Sequence, residues 1–305
     1  MDFSSTIRER LYSDPAAAMI EFQQHWYTRG EIAAIADAII ALLKRAGVAD
    51  NAAVGMIVRN RLPHAAAILG FVAAKRSFSM IYAFQSPEAM ARDVEKLNFA
   101  AVIADRDDWT SGVIDAARKG GSLGIAISIQ GERVSLVPEL AQIGGGPFAQ
   151  NPDEPGIGVL TSGTTGAPKR IHIRMPILER AAISASAQVE SSANEPPDLV
   201  FWPFGGIGGI CQVLGAGYVG KRMVLLEKFT VEDWVGAVKR HHITKVGVQP
   251  TVIRMLLEAK VPREDIASLQ FIFGGSAPLE YSTQKQFEET YGLPVIWGYG
   301  ATEFA

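Results

Sequence analysis

The segment between residues 160 and 170 combines residue types that bind phosphate groups. It follows an apolar run and places four hydroxyl side chains, two glycines and a lysine within nine residues: Thr161, Ser162, Gly163, Thr164, Thr165, Gly166 and Lys169. Phosphate oxygens are bound by exposed backbone N–H groups, which glycine makes accessible, by hydroxyl donors and by a cation. The segment therefore predicts a phosphate-binding loop, although most Ser/Thr/Gly stretches are only flexible turns.

Two common phosphate motifs do not fit this loop. A P-loop needs Gly directly before its Lys and Ser or Thr directly after it, whereas Pro168 and Arg170 stand at those places. Gly156 and Gly158 begin a dinucleotide-binding pattern, but Thr161 stands where the third glycine belongs. The loop is therefore neither of the Walker type nor a Rossmann fingerprint.

Three later segments complete a pattern that resembles a known family. These are Pro203–Gly209, Gly274–Leu279 and the sequence Tyr-Gly-Ala-Thr-Glu at 299–303. With the loop at 161–169, they are similar in type and order to the motifs of the adenylate-forming (AMP-binding) superfamily, which includes acyl-CoA synthetases, adenylation domains of peptide synthetases and luciferases. The resemblance extends from about Tyr27 to the last residue. It departs from the family at Arg170, where the family has glycine.

The resemblance implies an ATP site built from the loop and the last two segments. Its predicted ATP-binding residues are Thr161, Ser162, Gly163, Thr164, Thr165, Gly166, Lys169, Gly274, Gly275, Ser276, Ala277, Tyr299, Gly300 and Thr302. The predicted catalytic residues are Lys169, Thr302 and Glu303. Lys169 would hold the terminal phosphates, Thr302 would donate to the α-phosphate, and Glu303 would be the ligand of Mg²⁺, which prefers hard oxygen donors. Tyr299 would stack on the adenine.

The segment near residue 205 is implied to shape the pocket for a carboxylic acid. The predicted pocket residues are Trp202, Phe204, Gly205, Gly206, Ile207, Trp297 and Gly298, and core packing is the competing explanation for its large side chains. The family often has an aromatic residue followed by His where this chain has Gly205 and Gly206, which favours an enlarged pocket or a bulky acid. Residues 201–210 contain no carboxylate to pair with an ammonium group, which favours an acid without an α-amino group.

Composition excludes several other functional classes. The formal net charge is −3 and 20% of the residues are charged, so no basic surface is expected to attract nucleic acid or an anionic membrane. The single cysteine, Cys211, allows no internal disulfide and suits a reducing cytoplasm, and a lone cysteine usually packs in the core. The first ten residues are too charged for a signal peptide, and the apolar runs are too short for a membrane span. We therefore expect a cytoplasmic, soluble protein; whether it forms a homo-oligomer stays open.

Alternating apolar strands and helices position these motifs. The pattern predicts strands at 54–58, 80–83, 101–104, 124–128, 158–161, 170–173, 199–202, 223–226, 245–248, 271–273 and 295–297, and helices at 31–45, 64–75, 231–241, 251–259 and 282–291. Such alternation is typical of an α/β fold with mostly parallel sheets flanked by helices. The Gly- and Pro-rich stretch Ile143–Pro155 predicts a boundary between two lobes, 1–150 and 151–305. By resemblance, the two lobes form the large N-terminal domain of the adenylate-forming fold, with the C-terminal domain absent.

The resemblance leads to a ligase that makes an acyl-adenylate from ATP and an acid and transfers the acyl group to CoA. Members of the family continue beyond residue 305 to a ribose-binding Asp and a small domain with a catalytic Lys. We therefore expect this chain to supply nucleotide and acid binding, with impaired or absent activity when alone. Two alternatives stay open: a non-catalytic nucleotide-binding or interaction domain, and a phosphotransferase that releases ADP.

Overall fold

The structure is a computed structural model that describes residues 2–161, 169–186, 195–300 and 302. Its α-helices are Phe3–Tyr12 (α1), Arg29–Arg45 (α2), Leu62–Ala73 (α3), Pro87–Leu97 (α4), Ser111–Gly120 (α5), Met175–Ser186 (α6), Ile207–Val219 (α7), Val231–His241 (α8), Pro250–Glu258 (α9) and Tyr281–Tyr291 (α10). Within these ranges, no helix is long and apolar enough to cross a membrane.

The strands group into three sheets. They are Ala18–Phe22 (β1), His25–Thr28 (β2), Val54–Val58 (β3), Phe78–Tyr82 (β4), Ala101–Asp105 (β5), Leu123–Ile127 (β6), Val134–Leu136 (β7), Gly156–Leu160 (β8), Arg170–Arg174 (β9), Asp198–Val200 (β10), Met223–Leu225 (β11), Lys245–Val248 (β12), Phe271–Gly274 (β13) and Val295–Trp297 (β14). The largest sheet has the order β7-β6-β5-β3-β4-β8-β9, and the others have the orders β10-β11-β1-β2 and β12-β13-β14.

The central strands of the largest sheet are parallel, as their composition predicts. All five residues of β3, β5 and β6 are buried, which is the pattern of strands covered by helices on both faces. The edge pairs β6–β7 and β8–β9 are antiparallel. Because parallel strands end at the same edge, the residues that follow β3, β4 and β8 lie along one side of this sheet.

Most predicted elements are present, with small shifts at their ends. The strands at 54–58, 245–248 and 295–297 and the helix at 231–241 have the predicted bounds. Helix α2 begins two residues before its predicted start, because Thr28 and Glu31 form a capping box. Strand β10 ends at Val200, so Trp202 lies in the connection that leads to α7 rather than in a strand.

Strand pairing crosses the predicted boundary at residue 150. Strand β8, which follows the boundary, pairs with β4, which precedes it. Likewise β1, near the N-terminus, pairs with β11. The largest hydrophobic core contains side chains from both sides of the boundary, such as Phe71 and Leu214. The division into lobes 1–150 and 151–305 stays a prediction, and the hydrogen-bonded sheets do not follow it.

Cys211 packs in the core, as the sequence predicts for a lone cysteine. The side chain is buried in α7, and burial raises the pKa of its thiol to about 12. The thiol therefore stays protonated at neutral pH and behaves as a small apolar group.

Candidate active site at the carboxyl ends of the strands

A hairpin between β8 and β9 carries the predicted phosphate loop. Leu160 and Arg170 are paired at the ends of the two strands. Beyond them the backbone N–H of Thr161 donates to the carbonyl of Lys169 at 2.8 Å, and the N–H of Lys169 lies 3.2 Å from the Thr161 hydroxyl. Thr161 is buried and Lys169 is exposed. The base of the loop is thus fixed by the sheet, with an exposed cation at its end.

Several predicted phosphate ligands lie outside the described residues. They are Ser162, Gly163, Thr164, Thr165 and Gly166 of the loop, together with Glu303, the predicted Mg²⁺ ligand. Their roles stay predictions, and so does the Mg²⁺ site.

Arg170, which replaces the family's glycine, points into the sheet. Its guanidinium donates a hydrogen bond to the carbonyl of Met80 in β4, so the side chain reaches across β8. Burial lowers the pKa of Arg170, and the nearby carboxylate of Asp93 opposes this shift. Arg170 and Lys169 are adjacent in sequence, but only Lys169 has an exposed side chain.

A second edge brings together the predicted adenine segment and the segment before Tyr299. Val248, Gly274 and Trp297 end β12, β13 and β14 in register. Past these ends, the N–H of Gly298 donates to the carbonyl of Gly274 at 2.9 Å, and the Trp297 indole donates to the carbonyl of Ala277 at 3.0 Å. Two motifs that are distant in sequence are therefore joined by hydrogen bonds at one strand edge.

Glycine is required where these two segments meet. A Cβ at Gly274 would lie 2.2 Å from the carbonyl oxygen of Val248, and a Cβ at Gly275 would lie 2.7 Å from that of Gly298. Ser276 follows with a φ of 67°, a conformation that non-glycine residues rarely adopt. Backbone strain of this kind is concentrated at functional sites. The local geometry thus agrees with a segment whose backbone faces a ligand.

Tyr299 has no packing role among the described residues. Its side chain is 91% exposed, whereas large aromatic side chains usually bury most of their surface. No described residue other than its chain neighbours lies within 4 Å of a Cβ built on Gly300, and Thr302 is half-buried. An exposed ring beside a glycine-lined edge can stack on a planar ligand.

The predicted acid-pocket segment links the two strand edges. The side-chain amide of Asn60, which follows β3, donates to the carbonyl of Trp202 at 2.8 Å and accepts from the N–H of Phe204 at 2.9 Å. On the other side, the Trp202 indole donates to the carbonyl of Gly247 in β12 at 2.8 Å. Residues 202–204 are therefore held between the seven-stranded and the three-stranded sheets.

Two predictions for this segment need correction. Phe204 is fully buried in the largest core, so its ring packs there rather than lining an open pocket. The expected enlargement at Gly205 does not occur either, because a Cβ at this position would lie 2.2 Å from the ring of Tyr82. Gly206 has more space within the described part of the chain, where the nearest atom to its Cβ, apart from its chain neighbours, would be 3.8 Å away. Trp202, Ile207 and Trp297 are partly buried against the cores.

Sequence reasoning missed two residues of this region, Asn60 and Tyr82. Each lies at the carboxyl end of a predicted parallel strand, where ligand sites of α/β folds are found. Their position at the strand ends could have identified them as site candidates. Their contacts with residues 202–205 could not have been predicted, because the sequence does not show which loop crosses which strand.

Charged side chains surround the end of β3. Asp108 is buried and accepts two hydrogen bonds from Arg59, at 2.5 and 2.7 Å. A cavity of about 520 Å³ adjoins Arg59 and Asn60 and extends to Phe84 and Lys228. Among the described residues, none of the predicted acid-pocket residues lines this cavity. The cavity is thus a separate feature of the same sheet edge.

A profile of the AMP-binding enzyme family matches residues 7–305. The chain belongs to this family. The AMP-binding chain is also 26% identical to 4-coumarate–CoA ligase 3 of Oryza sativa subsp. japonica over 295 residues, which cover 91% of the chain and 51% of the rice enzyme. It is 28% identical to 2-succinylbenzoate–CoA ligase of Bacillus pumilus over 143 residues, which are 47% of the chain and 29% of that enzyme. The chain thus spans about half the length of the rice relative.

Solved structures confirm the fold of this AMP-binding chain. ATP-bound MatB from Rhodopseudomonas palustris superposes with a TM-score of 0.80 at 20% identity, covering 99% of the chain and 60% of MatB. O-succinylbenzoate CoA synthetase from Bacillus subtilis, in complex with ATP and magnesium, gives a TM-score of 0.74 at 18% identity, covering 98% of the chain and 60% of that enzyme. The predicted α/β fold, the N-terminal domain of adenylate-forming enzymes, is therefore correct.

Proposed function

We propose that this chain binds ATP and a carboxylic acid for acyl-adenylate formation, and that the complete gene product then transfers the acyl group to CoA. The observation that carries the proposal is the hydrogen bond from Gly298 to Gly274, which joins the two glycine-containing segments beside the exposed ring of Tyr299. The named CoA ligases among its relatives support the same reaction class.

The proposed chemistry divides among the three parts of the site. A carboxylate oxygen attacks the α-phosphorus of ATP, the bond between the α-phosphorus and the bridging oxygen breaks, and pyrophosphate leaves. Lys169 neutralises the terminal phosphates, Thr302 donates to the α-phosphate, and Tyr299 and the 274–277 segment hold the base. Residues 202–207 orient the acid, so catalysis rests on positioning and charge neutralisation.

Glu303 would hold Mg²⁺, because its carboxylate is the kind of hard oxygen donor that this ion prefers, and the ion would supply positive charge beside the phosphates. CoA is proposed as the thiol substrate of the second step, and the acid is proposed to lack an α-amino group. We further propose that the protein is cytoplasmic.

ATP–pyrophosphate exchange tests the proposal. The complete gene product is assayed with fatty, aromatic and alicyclic acids and with amino acids, and we expect exchange with at least one organic acid and release of AMP. The 305-residue chain is titrated with Mg²⁺–ATP by calorimetry, with Lys169→Met as the matched variant, which should bind ATP at least about tenfold more weakly because charge-assisted bonds to phosphate are lost.

Each alternative predicts a different result. Exchange with amino acids alone would contradict the substrate class. ATP binding by the complete gene product without exchange would favour a non-catalytic nucleotide-binding domain, and ADP as the product would favour a phosphotransferase.

A further inference from the structure

Tyr82 and Gly205 share one space at the edge of the seven-stranded sheet. Tyr82 is the last residue of β4 and is half-buried. Two of its ring carbons would lie 2.2 and 2.8 Å from a Cβ at Gly205, distances that real Cβ atoms essentially never show. Any side chain at position 205 would therefore overlap this ring.

The backbone on both sides of this contact is fixed. Tyr82 pairs with Val58 at the end of β3, in the interior of the sheet. The segment that carries Gly205 is held by the buried amide of Asn60, which bonds to both Trp202 and Phe204. The two backbones are held by hydrogen bonds, so a side chain at 205 needs the ring of Tyr82 to be shortened or displaced.

The ring of Tyr82 also contacts an exposed aromatic side chain. Its centroid lies 5.3 Å from that of Phe84, whose side chain is 54% exposed. At Gly206, the next residue, a Cβ would come no closer than 3.8 Å to any described residue other than its chain neighbours. The ring of Tyr82 thus adjoins both the exposed ring of Phe84 and the space beside Gly205 in the predicted acid-pocket segment.

We propose that Tyr82 determines the size of the acid that this site accepts. Its ring occupies the space that a side chain at Gly205 would need, so the wall at this point of the segment comes from β4. The inference rests on the proposed function, since it takes residues 202–207 as the acid-binding segment. It predicts that the absence of side chains at Gly205 and Gly206 does not by itself make room for a larger acid, whereas replacing Tyr82 with a smaller residue does.

Acid-dependent ATP–pyrophosphate exchange on the complete gene product tests this inference. The probes are benzoate with 1-naphthoate and hexanoate with decanoate, and the readout is the ratio of kcat/KM for the larger and the smaller acid of each pair. Tyr82→Ala should raise the ratio about tenfold or more for at least one pair, in the range that small changes in an apolar pocket produce. Tyr82→Phe, which keeps the ring, should stay within about twofold of the wild type, and the KM for ATP should not change in either variant.

A second experiment tests whether the side chains at positions 82 and 205 compete for the same space, by moving the aromatic ring from one position to the other. Gly205→Phe alone should lower both the melting temperature and the exchange rate, because its ring overlaps that of Tyr82. Combined with Tyr82→Ala, the same substitution should recover most of both losses and return the acid ratio towards the wild-type value. Gly206→Ala is the matched control for folding and should melt close to the wild type. Contacting residues are expected to be non-additive in this way.

The outcomes separate this inference from the proposed function. If the wild type exchanges with organic acids but Tyr82→Ala and Tyr82→Phe give the same ratios, the proposed function stands and the role of Tyr82 is overturned. Equal losses for both acids of a pair, with a lower melting temperature, would likewise show that the ring only packs. If the wild type exchanges with no organic acid, the proposed function fails and this inference fails with it.

Discussion

At the scale of single residues, His64 is a buried imidazole beside a cluster of charges. It lies near the start of α3, and its Nε2 donates to the carbonyl of Ile57 at 3.1 Å. Burial lowers the pKa of His64 from 6.5 to about 4; Asp105 opposes this shift and Arg61 adds to it. The imidazole is therefore neutral in the folded protein at pH values where it becomes protonated in the unfolded chain.

This difference predicts acid sensitivity that begins well above the pKa of the folded state. As the pH falls below 6.5, the unfolded chain binds a proton that the folded chain does not bind until about pH 4, so stability is lost across this window. The contribution should be about 2 kcal/mol between pH 7.5 and pH 5. Urea unfolding at both pH values measures it, and His64→Gln is the control because it cannot titrate. Equal pH dependence in the wild type and in this variant would contradict the prediction.

At the scale of elements, two cationic residues that are adjacent in the β8–β9 hairpin have side chains in different environments. Lys169 is exposed at the loop, whereas the guanidinium of Arg170 bonds to Met80 within the sheet. Arg170→Met should lower the free energy of unfolding by about 1–3 kcal/mol, because a hydrogen bond from a charged group is lost. The same variant should change the Kd for ATP less than about threefold. Lys169→Met should weaken ATP binding and leave the free energy of unfolding nearly unchanged. Chemical unfolding measures the stability of both variants, and calorimetry measures their ATP affinity. A large loss of ATP affinity in Arg170→Met would place that side chain at the phosphates.

An element can be predicted from the sequence when nearby residues determine it, and not when it depends on contacts with residues far along the chain. Strand β3 is a continuous apolar run, so its bounds follow from the sequence alone. The β1–β2 hairpin is not predicted from the sequence, because the other partners of β1 lie far along the chain. Strand β1 pairs with β11, and the buried carboxylate of Glu21 in β1 contacts the imidazole of His241. The glycines at 274 and 275 are visible as a motif, but the reason for Gly205 is the ring of Tyr82. Motif positions are therefore predictable, whereas the contacts that decide pocket shape are not.

At the scale of the whole molecule, the order of the strands decides which parts of the chain can fold together. A fragment of residues 1–150 would lack β8 and β9 from one sheet and β10 and β11 from another. It would also expose core residues that pack against α7, because the largest core includes Ile210, Val213 and Leu214. Two sheets and the largest core therefore include residues from both sides of the predicted boundary at residue 150.

We accordingly predict that fragment 1–150 lacks a cooperative unfolding transition, whereas fragment 1–226 keeps one. The longer fragment contains every strand of the seven- and four-stranded sheets, and it loses only the sheet β12-β13-β14 with its helices. Its stability should be lower than that of the full chain, because Leu199, Phe201 and Val224 pack in the core that it loses. Urea unfolding followed by circular dichroism compares the two fragments with the 305-residue chain. A cooperative transition in fragment 1–150 with the midpoint of the full chain would show instead that the first lobe folds alone, and that pairing with β8 and β11 adds little to its stability.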